Sequence, residues 1–317
     1  MATIKRKFDH YTLQVLADLS ADIGDPDRYR EKQVLTRLSI FLSSEISLSS
    51  PTLHHHLRGF VAVVKARGGI QAVLESNEIR RNWVWLAMMT IIVTNTTSPS
   101  SGQMAEEDYF TNEDLYAYIT GDFNTAFPCP TQLFLCLRDI NRLRREIAGG
   151  RRTANSPALQ GAALAIIRDI ASFAPEAWTE RYALPERALV RLQLALVFKS
   201  ATMLYGMMTL AAHAGMPFPA HQRFATADVI VELVLSIMQV LGYDELAMVW
   251  PLMVAGASLG RAARSKQAVV DGLLLGISRG PCPSVGVYLG LECLRRFWKS
   301  GKTEWDECFT TWQATVP

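Results

Sequence analysis

The chain has 317 residues, 49% of them hydrophobic and 20% charged, and its 32 basic and 30 acidic side chains leave a formal net charge of +2. That length suffices for a substantial core, and the near balance of charge excludes a global pull toward nucleic acid or an anionic membrane surface. Five widely spaced cysteines (Cys129, Cys136, Cys282, Cys293, Cys308) with no CxxC pair exclude a disulfide framework and a cysteine-built zinc site, and they indicate a reducing, intracellular compartment.

From the N-terminus, Lys5-Arg6-Lys7 is followed by no apolar run of signal-peptide length, and it is too small to serve as a nuclear address by itself. Apolar periodicity predicts a helix over Asp27–Ser47, with Val34, Leu35, Leu38, Phe41 and Leu42 on one stripe. A second helix is marked by Ser50 as N-cap, Pro51 in the first turn and a stop at Gly68-Gly69. A third, rich in tryptophan and methionine, covers Glu78–Thr94. Residues 95–107 read NTTSPSSGQMAEE, which predicts an exposed loop near 95–110. The next helix, Pro130–Ile147, ends at Gly149-Gly150, and GGRRTANS over 149–156 reads as a second exposed linker.

The C-terminal half is more apolar. Helices are predicted near 157–173, 185–213, 226–241, 245–264, 266–277, 284–298 and 304–313. No stretch alternates with period two between turn signals, so no sheet is expected. Trp83–Val93 and Ala247–Leu259 are shorter than the roughly 20 residues of a membrane span, and Arg191 and Lys199 interrupt Ala188–Ala212. These segments read as core helices of a soluble protein without a membrane partner. The expected fold is all-α, an irregular multi-helix stack forming a single domain over 1–317. The tripeptide Pro-Cys-Pro occurs at 128–130 and 281–283, too little to indicate duplication.

Four stretches carry a resemblance. They are His55-His56-Leu57-Arg58-Gly59 running to Arg67-Gly68-Gly69-Ile70; the leucine-rich helix Pro130–Arg145; Val249-Trp250-Pro251-Leu252-Met253-Val254-Ala255-Gly256; and LECLRRFWKSGKTEWDEC over 291–308. In content and order they resemble landmarks of the fungal-specific transcription factor domain, the regulatory region that follows a zinc binuclear cluster in fungal regulators. The first 128 residues contain no cysteine, so the six-cysteine cluster of that family has no counterpart here, and direct DNA binding by this chain is not expected. The physical reading of the landmarks is structural. Gly68-Gly69 caps a helix, Gly59 and Gly256 lie within helices where close helix approach would compensate for glycine, Pro251 marks a kink or first turn, and Trp298 and Trp305 seal an end of the core.

Candidate chemistry is sparse. His54-His55-His56 are helical neighbours that point about 100° apart and do not chelate one ion together, so one should face inward. His213 and His221 flank a loop and read as structural or surface groups. Gly256–Gly260 lacks the strand-turn context of a nucleophile elbow. Arg142, Arg144, Arg145, Arg151 and Arg152 read as cations favoured by the dipole of their own helix end, and Glu106-Glu107-Asp108 as a solvated charge run. One feature suggests ligand binding: Met203, Tyr205, Met207 and Met208 on one helix, with Met248, Trp250 and Met253 on another. Methionine adapts to variable apolar shapes, and Met203, Tyr205, Met208, Trp250 and Met253 are the candidate pocket. Sterol-responsive members of the resembled family bind apolar effectors in their helical domains, which makes such a pocket an implication of the resemblance as well.

These readings lead to a regulatory domain that receives a protein partner, a second copy of the chain included, or an apolar small molecule, with no cofactor or metal. The alternative is a metal- and cofactor-free enzyme of fungal secondary metabolism, a cyclase or isomerase that acts by positioning in an apolar pocket. The first implies a nuclear location and the second a cytoplasmic one.

Overall fold

Every regular element among the described residues is helical, in fifteen α-helices and short 3-10 turns with no strand, as the apolar periodicity predicts. The computed structural model describes residues 2–25, 32–47, 50, 52–76, 81–119, 128–151, 156–182, 188–216, 218–240, 245–260, 263–280 and 284–310. Its residues fall into two compact units, Met1–Met88 and Met89–Pro317.

The first unit contains α1 (Ala2–Gly24), α2 (Lys32–Ser47), α3 (Leu53–Ala66) and α4 (Ile70–Glu75), and α5 (Arg81–Thr96) carries the chain onward. Helix α2 buries the predicted stripe Val34, Leu35, Leu38, Phe41 and Leu42; its predicted start at Asp27 lies outside the described residues. In α3, Leu53, Leu57, Phe60, Val61 and Val64 recur at helical spacing and are buried. The helix ends where Gly68 and Gly69 take φ of +93° and +98°, and Gly69 N–H returns to Val64 O at 3.0 Å, satisfying a carbonyl of the last turn. Pro51 lies outside the described residues, as does the predicted start of α5 at Glu78. Helix α1 was not expected. Among its described side chains only Leu19 and Asp22 are buried, so its apolar stripe is too thin to announce a helix.

The second unit is organised around α10 (Ala188–Leu210), which packs on α7 (Thr131–Ala148), α8 (Pro157–Ser172), α9 (Pro175–Tyr182), α11 (Ala220–Met238) and α12 (Val249–Ser258). Helix α10 is the described helix long and apolar enough to cross a bilayer, but Leu194, Phe198, Leu204, Tyr205 and Leu210 are buried against these neighbours. Gly206 lets α10 approach α7 and α8 closely, since a Cβ there would lie 3.1 Å from Ile167 Cδ1 and 3.4 Å from Ile140 Cδ1. All ten residues of α12 are buried, as expected of a helix that is apolar all round. Helices α13 (Arg264–Ser278) and α14 (Val285–Ser300) pack on α12, and the short α15 (Trp305–Cys308) packs on α14.

Several boundaries differ from expectation. The predicted 245–264 helix is a 3-10 turn, Glu245–Met248, followed by α12, with Pro251 in the first turn of α12. Helix α6 (Asn112–Ile119) was not anticipated, although Thr111 and Asp114 form a reciprocal cap, with Thr111 N–H to Asp114 Oδ2 at 2.9 Å and Asp114 N–H to Thr111 Oγ1 at 3.1 Å. The largest correction concerns the loop predicted near 95–110. Asn95, Thr96, Thr97, Ser98, Gln103, Met104, Glu107 and Phe110 are buried there, among 3-10 turns at Ser100–Gly102 and Ala105–Tyr109. In the second predicted linker, residues 149–151 are exposed, while 152–155 lie outside the described residues, as do Cys282 and the second Pro-Cys-Pro.

Candidate functional site

Helix α7 places Asn141, Arg144 and Arg145 at i, i+3 and i+4, hence on one face, and that face is buried. It meets the C-terminal end of α5, where the last carbonyls lack intrahelical donors. Arg144 supplies them. Its Nη1 donates to Tyr205 Oη at 2.5 Å and to the carbonyls of Asn95 and Thr96 at 3.3 and 3.4 Å, and its Nη2 donates to Ser98 O at 3.0 Å and to the Asp306 carboxylate. The dipole it complements is that of α5, not of its own helix. The predicted surface cluster is therefore divided: Arg144 and Arg145 are buried, Arg142 is half-exposed and pairs with Asp139 at 3.2 Å, Arg151 is exposed, and Arg152 lies outside the described residues.

Tyr205 Oη in turn donates to Asn141 Oδ1 at 2.7 Å. Asn141 Nδ2 donates to Ile92 O at 2.9 Å and Glu107 Oε2 at 3.3 Å. Glu107 also accepts from Asn95 Nδ2 at 2.8 Å and Arg145 Nη1 at 2.5 Å, while Arg145 Nη2 reaches Asp108 at 2.7 Å. The expected solvated charge run thus holds a carboxylate with no solvent exposure. Burial pushes the Glu107 carboxyl up to about 7, against the opposing pull of Arg145 and the two asparagine amides. Two indoles complete the network. Trp250 Nε1 donates to Thr96 Oγ1 at 2.8 Å and Trp305 Nε1 to Thr96 O at 2.7 Å. Trp298 Nε1 donates to Gly256 O at 2.8 Å; of the two tryptophans expected to seal an end of the core, Trp305 is buried and Trp298 partly so.

Beside this network a cavity of about 290 Å³ is lined by Ser100, Arg144, Met208, Thr209, His213 and Trp305, among others. Asp306 stands at its edge. Its Oδ2 accepts from Ser100 N at 3.3 Å and from Ser100 Oγ. Burial raises the Asp306 carboxyl, but Arg144 and the Ser100 donors outweigh it and hold it below the usual carboxylate range. The five candidate pocket residues differ in their surroundings. Tyr205 and Trp250 are fully buried and meet edge to face with centroids 6.2 Å apart; Met253 is fully buried in α12, and Met203 is partly exposed. Met208 lines the cavity. Sequence reasoning missed Glu107, Asn95, Asn141 and Asp306 because their partners lie far along the chain.

In the first unit, α1 and α2 flank a groove of about 640 Å³ lined by Tyr11, Val15, Leu19, Ile40 and Phe41, with Asp22 and Glu45 among its polar groups. Asp22 pairs with Arg37 at 2.6 Å. Glu45 accepts from Thr52 Oγ1 at 3.1 Å and meets His56 Nδ1 at 3.0 Å. His56 thus faces Glu45, and its ring meets Phe41 edge-on; His54 is partly buried as well, and His55 is exposed. His221 is exposed. Among the described residues no group of three or more His, Cys, Asp or Glu side chains is placed to hold a metal ion.

Comparison with known proteins fits this architecture. The family model of the fungal specific transcription factor domain matches residues 2–308. The chain is 27% identical over 264 residues to the phomenoic acid biosynthesis cluster-specific transcriptional regulator of Leptosphaeria maculans, an alignment covering 80% of this chain and 49% of that regulator. The chain thus spans about half the length of the curated relative it matches. No solved structure matches. With the match running from α1 to α15, the chain belongs to the fungal specific transcription factor domain family.

Proposed function

We propose that this chain is the signal-receiving part of a transcriptional regulator of biosynthetic genes, and that it responds to a small effector or a protein partner without contacting DNA itself. The observation that carries the reading is the family match over 2–308 together with the similarity to a cluster-specific regulator. The near-balanced charge supports it, since a DNA-binding surface draws its affinity from phosphate neutralisation. An effector-binding role is further supported by two preformed concavities, the groove of about 640 Å³ and the cavity of about 290 Å³, the larger within the usual range for small-molecule sites. The enzymatic alternative gains nothing from the buried charges, because Arg144, Arg145, Glu107 and Asp306 are bonded to one another or to backbone. A nuclear location follows from the regulatory reading.

Native mass spectrometry of the freshly purified chain tests this proposal, with a mobility-shift assay on a random DNA library alongside. The expected result is a co-purifying small molecule or protein and no sequence-specific shift. A bare monomer in every preparation, or a specific DNA complex, would contradict it.

A further inference from the structure

Arg144 is a buried cation, with its side chain 4% exposed, and its neutralising carboxylate comes from Asp306, whose side chain is 42% exposed. The two are unequal in their attachment. Arg144 is fixed by Tyr205 and by the carbonyls of Asn95, Thr96 and Ser98. Asp306 rests on the four-residue helix α15, at the edge of the cavity of about 290 Å³. Its neighbours Trp305 and Phe309 are buried, so α15 stays docked if the Asp306 side chain alone turns out to solvent. The Ser100 N–H, the Ser100 hydroxyl and Arg144 Nη2 would then converge on an empty carboxylate position.

We propose that Arg144 and Ser100 form an anion site that Asp306 occupies in cis, and that a small carboxylic acid with an apolar body displaces it. The cavity continues from this position along Ile147, Ala148 and Met208, with Thr209 and His213 also on its wall. An apolar body attached to the bound carboxylate lies against the first three. The volume is at the lower limit for ligand pockets, which selects an aromatic or short aliphatic acid. With Glu304 also lining the cavity, an anion added beside Asp306 would meet two carboxylates and only the Arg144 cation, so the exchange is one carboxylate for another. The inference supplies a chemical class for the effector of the proposed regulatory domain, and rests on that reading only for its biological meaning.

The test is calorimetric titration of the full chain with benzoate, using benzamide as the uncharged control, in the wild type and in Asp306→Ala. The variant is expected to bind benzoate saturably and to gain thermal stability from it, with no response to benzamide. The wild type should bind benzoate saturably but roughly ten-fold more weakly, because the internal carboxylate competes at high effective concentration. Equal responses to benzoate and benzamide in Asp306→Ala, wild-type affinity as high as the variant's, or no saturable wild-type binding would each overturn the proposal. If Asp306→Ala does not fold, Asp306→Asn, which keeps the shape and removes the charge, takes its place with the same expected and overturning results. Because this experiment reads binding alone, its failure leaves the regulatory reading intact, and failure of that reading leaves this site intact.

Discussion

Tyr205 on α10 accepts a hydrogen bond from Arg144 on α7 at 2.5 Å and donates to Asn141, one turn earlier on α7, at 2.7 Å. One hydroxyl therefore locks two buried α7 side chains, and through Arg144 it fixes the carbonyls that end α5. In a low-dielectric interior every member of such a network depends on the others being satisfied.

Tyr205→Phe keeps the ring and deletes the hydroxyl, leaving Asn141 Oδ1 without the donor that Tyr205 supplies. The expected loss is about 1–3 kcal/mol, read from urea unfolding as a lower midpoint with an unchanged slope.

The two carboxylates of the network have opposite pH signatures. Glu107 is raised from 4.5 to about 7 on folding, so the native state binds more protons than the unfolded one between those values. The stability of the wild type relative to Glu107→Gln should therefore fall as pH rises from about 4.5 to 7. Asp306 is lowered, so its contribution is present above the unfolded carboxylate value and is lost as pH falls through the folded one. The stability of the wild type relative to Asp306→Asn should shrink on acidification. Thermal midpoints followed from pH 7 down through the ordinary aspartate value of 3.8 check both, and slopes of the same sign would contradict the assignment.

Gly59 and Gly256 both lie within helices, yet they occupy different environments. A Cβ at Gly256 would lie 2.8 Å from Leu294 Cδ1 and 3.2 Å from Val270 Cγ1, whereas a Cβ at Gly59 meets nothing within 4 Å. Gly256→Ala should destabilise by about 1–3 kcal/mol through overpacking. Gly59→Ala should stabilise by up to about 1 kcal/mol, because alanine is the better helix former and the site is open. Denaturation midpoints of the two variants separate these outcomes.

Helix interiors were legible wherever an apolar stripe coincided with its punctuation. Helix α7 was readable from Pro130 and Gly149-Gly150, and α3 from Gly68-Gly69, because caps and stops are local chemistry. The candidate site was not legible for the complementary reason. Asn95 to Ser98 looked like loop because serine, threonine and asparagine usually bond to nearby backbone or water. Their burial depends instead on Arg144 and Trp305, 49 and 209 residues away along the chain for the Asn95 and Thr96 carbonyls respectively. Glu107 looked solvated for the same reason, since its counter-charge Arg145 is 38 residues distant. Helices α4 and α9 were missed as well as α1 and α6, and two of these had a local signal: the Thr111-x-x-Asp114 cap of α6 and Pro175 followed by Glu176 at the start of α9.

The proposal that this chain is the regulatory part of a transcriptional regulator is tested most directly by fusing it to a heterologous DNA-binding domain and measuring transcription of a reporter bearing that domain's site. The fusion should change reporter transcription relative to the DNA-binding domain alone, and Arg144→Met, which unties α7 from α5 and α15, should abolish the change while the protein level is held equal. A fusion that leaves the reporter at the level of the bare DNA-binding domain in fungal cells, with the chain folded and present in the nucleus, would contradict the account.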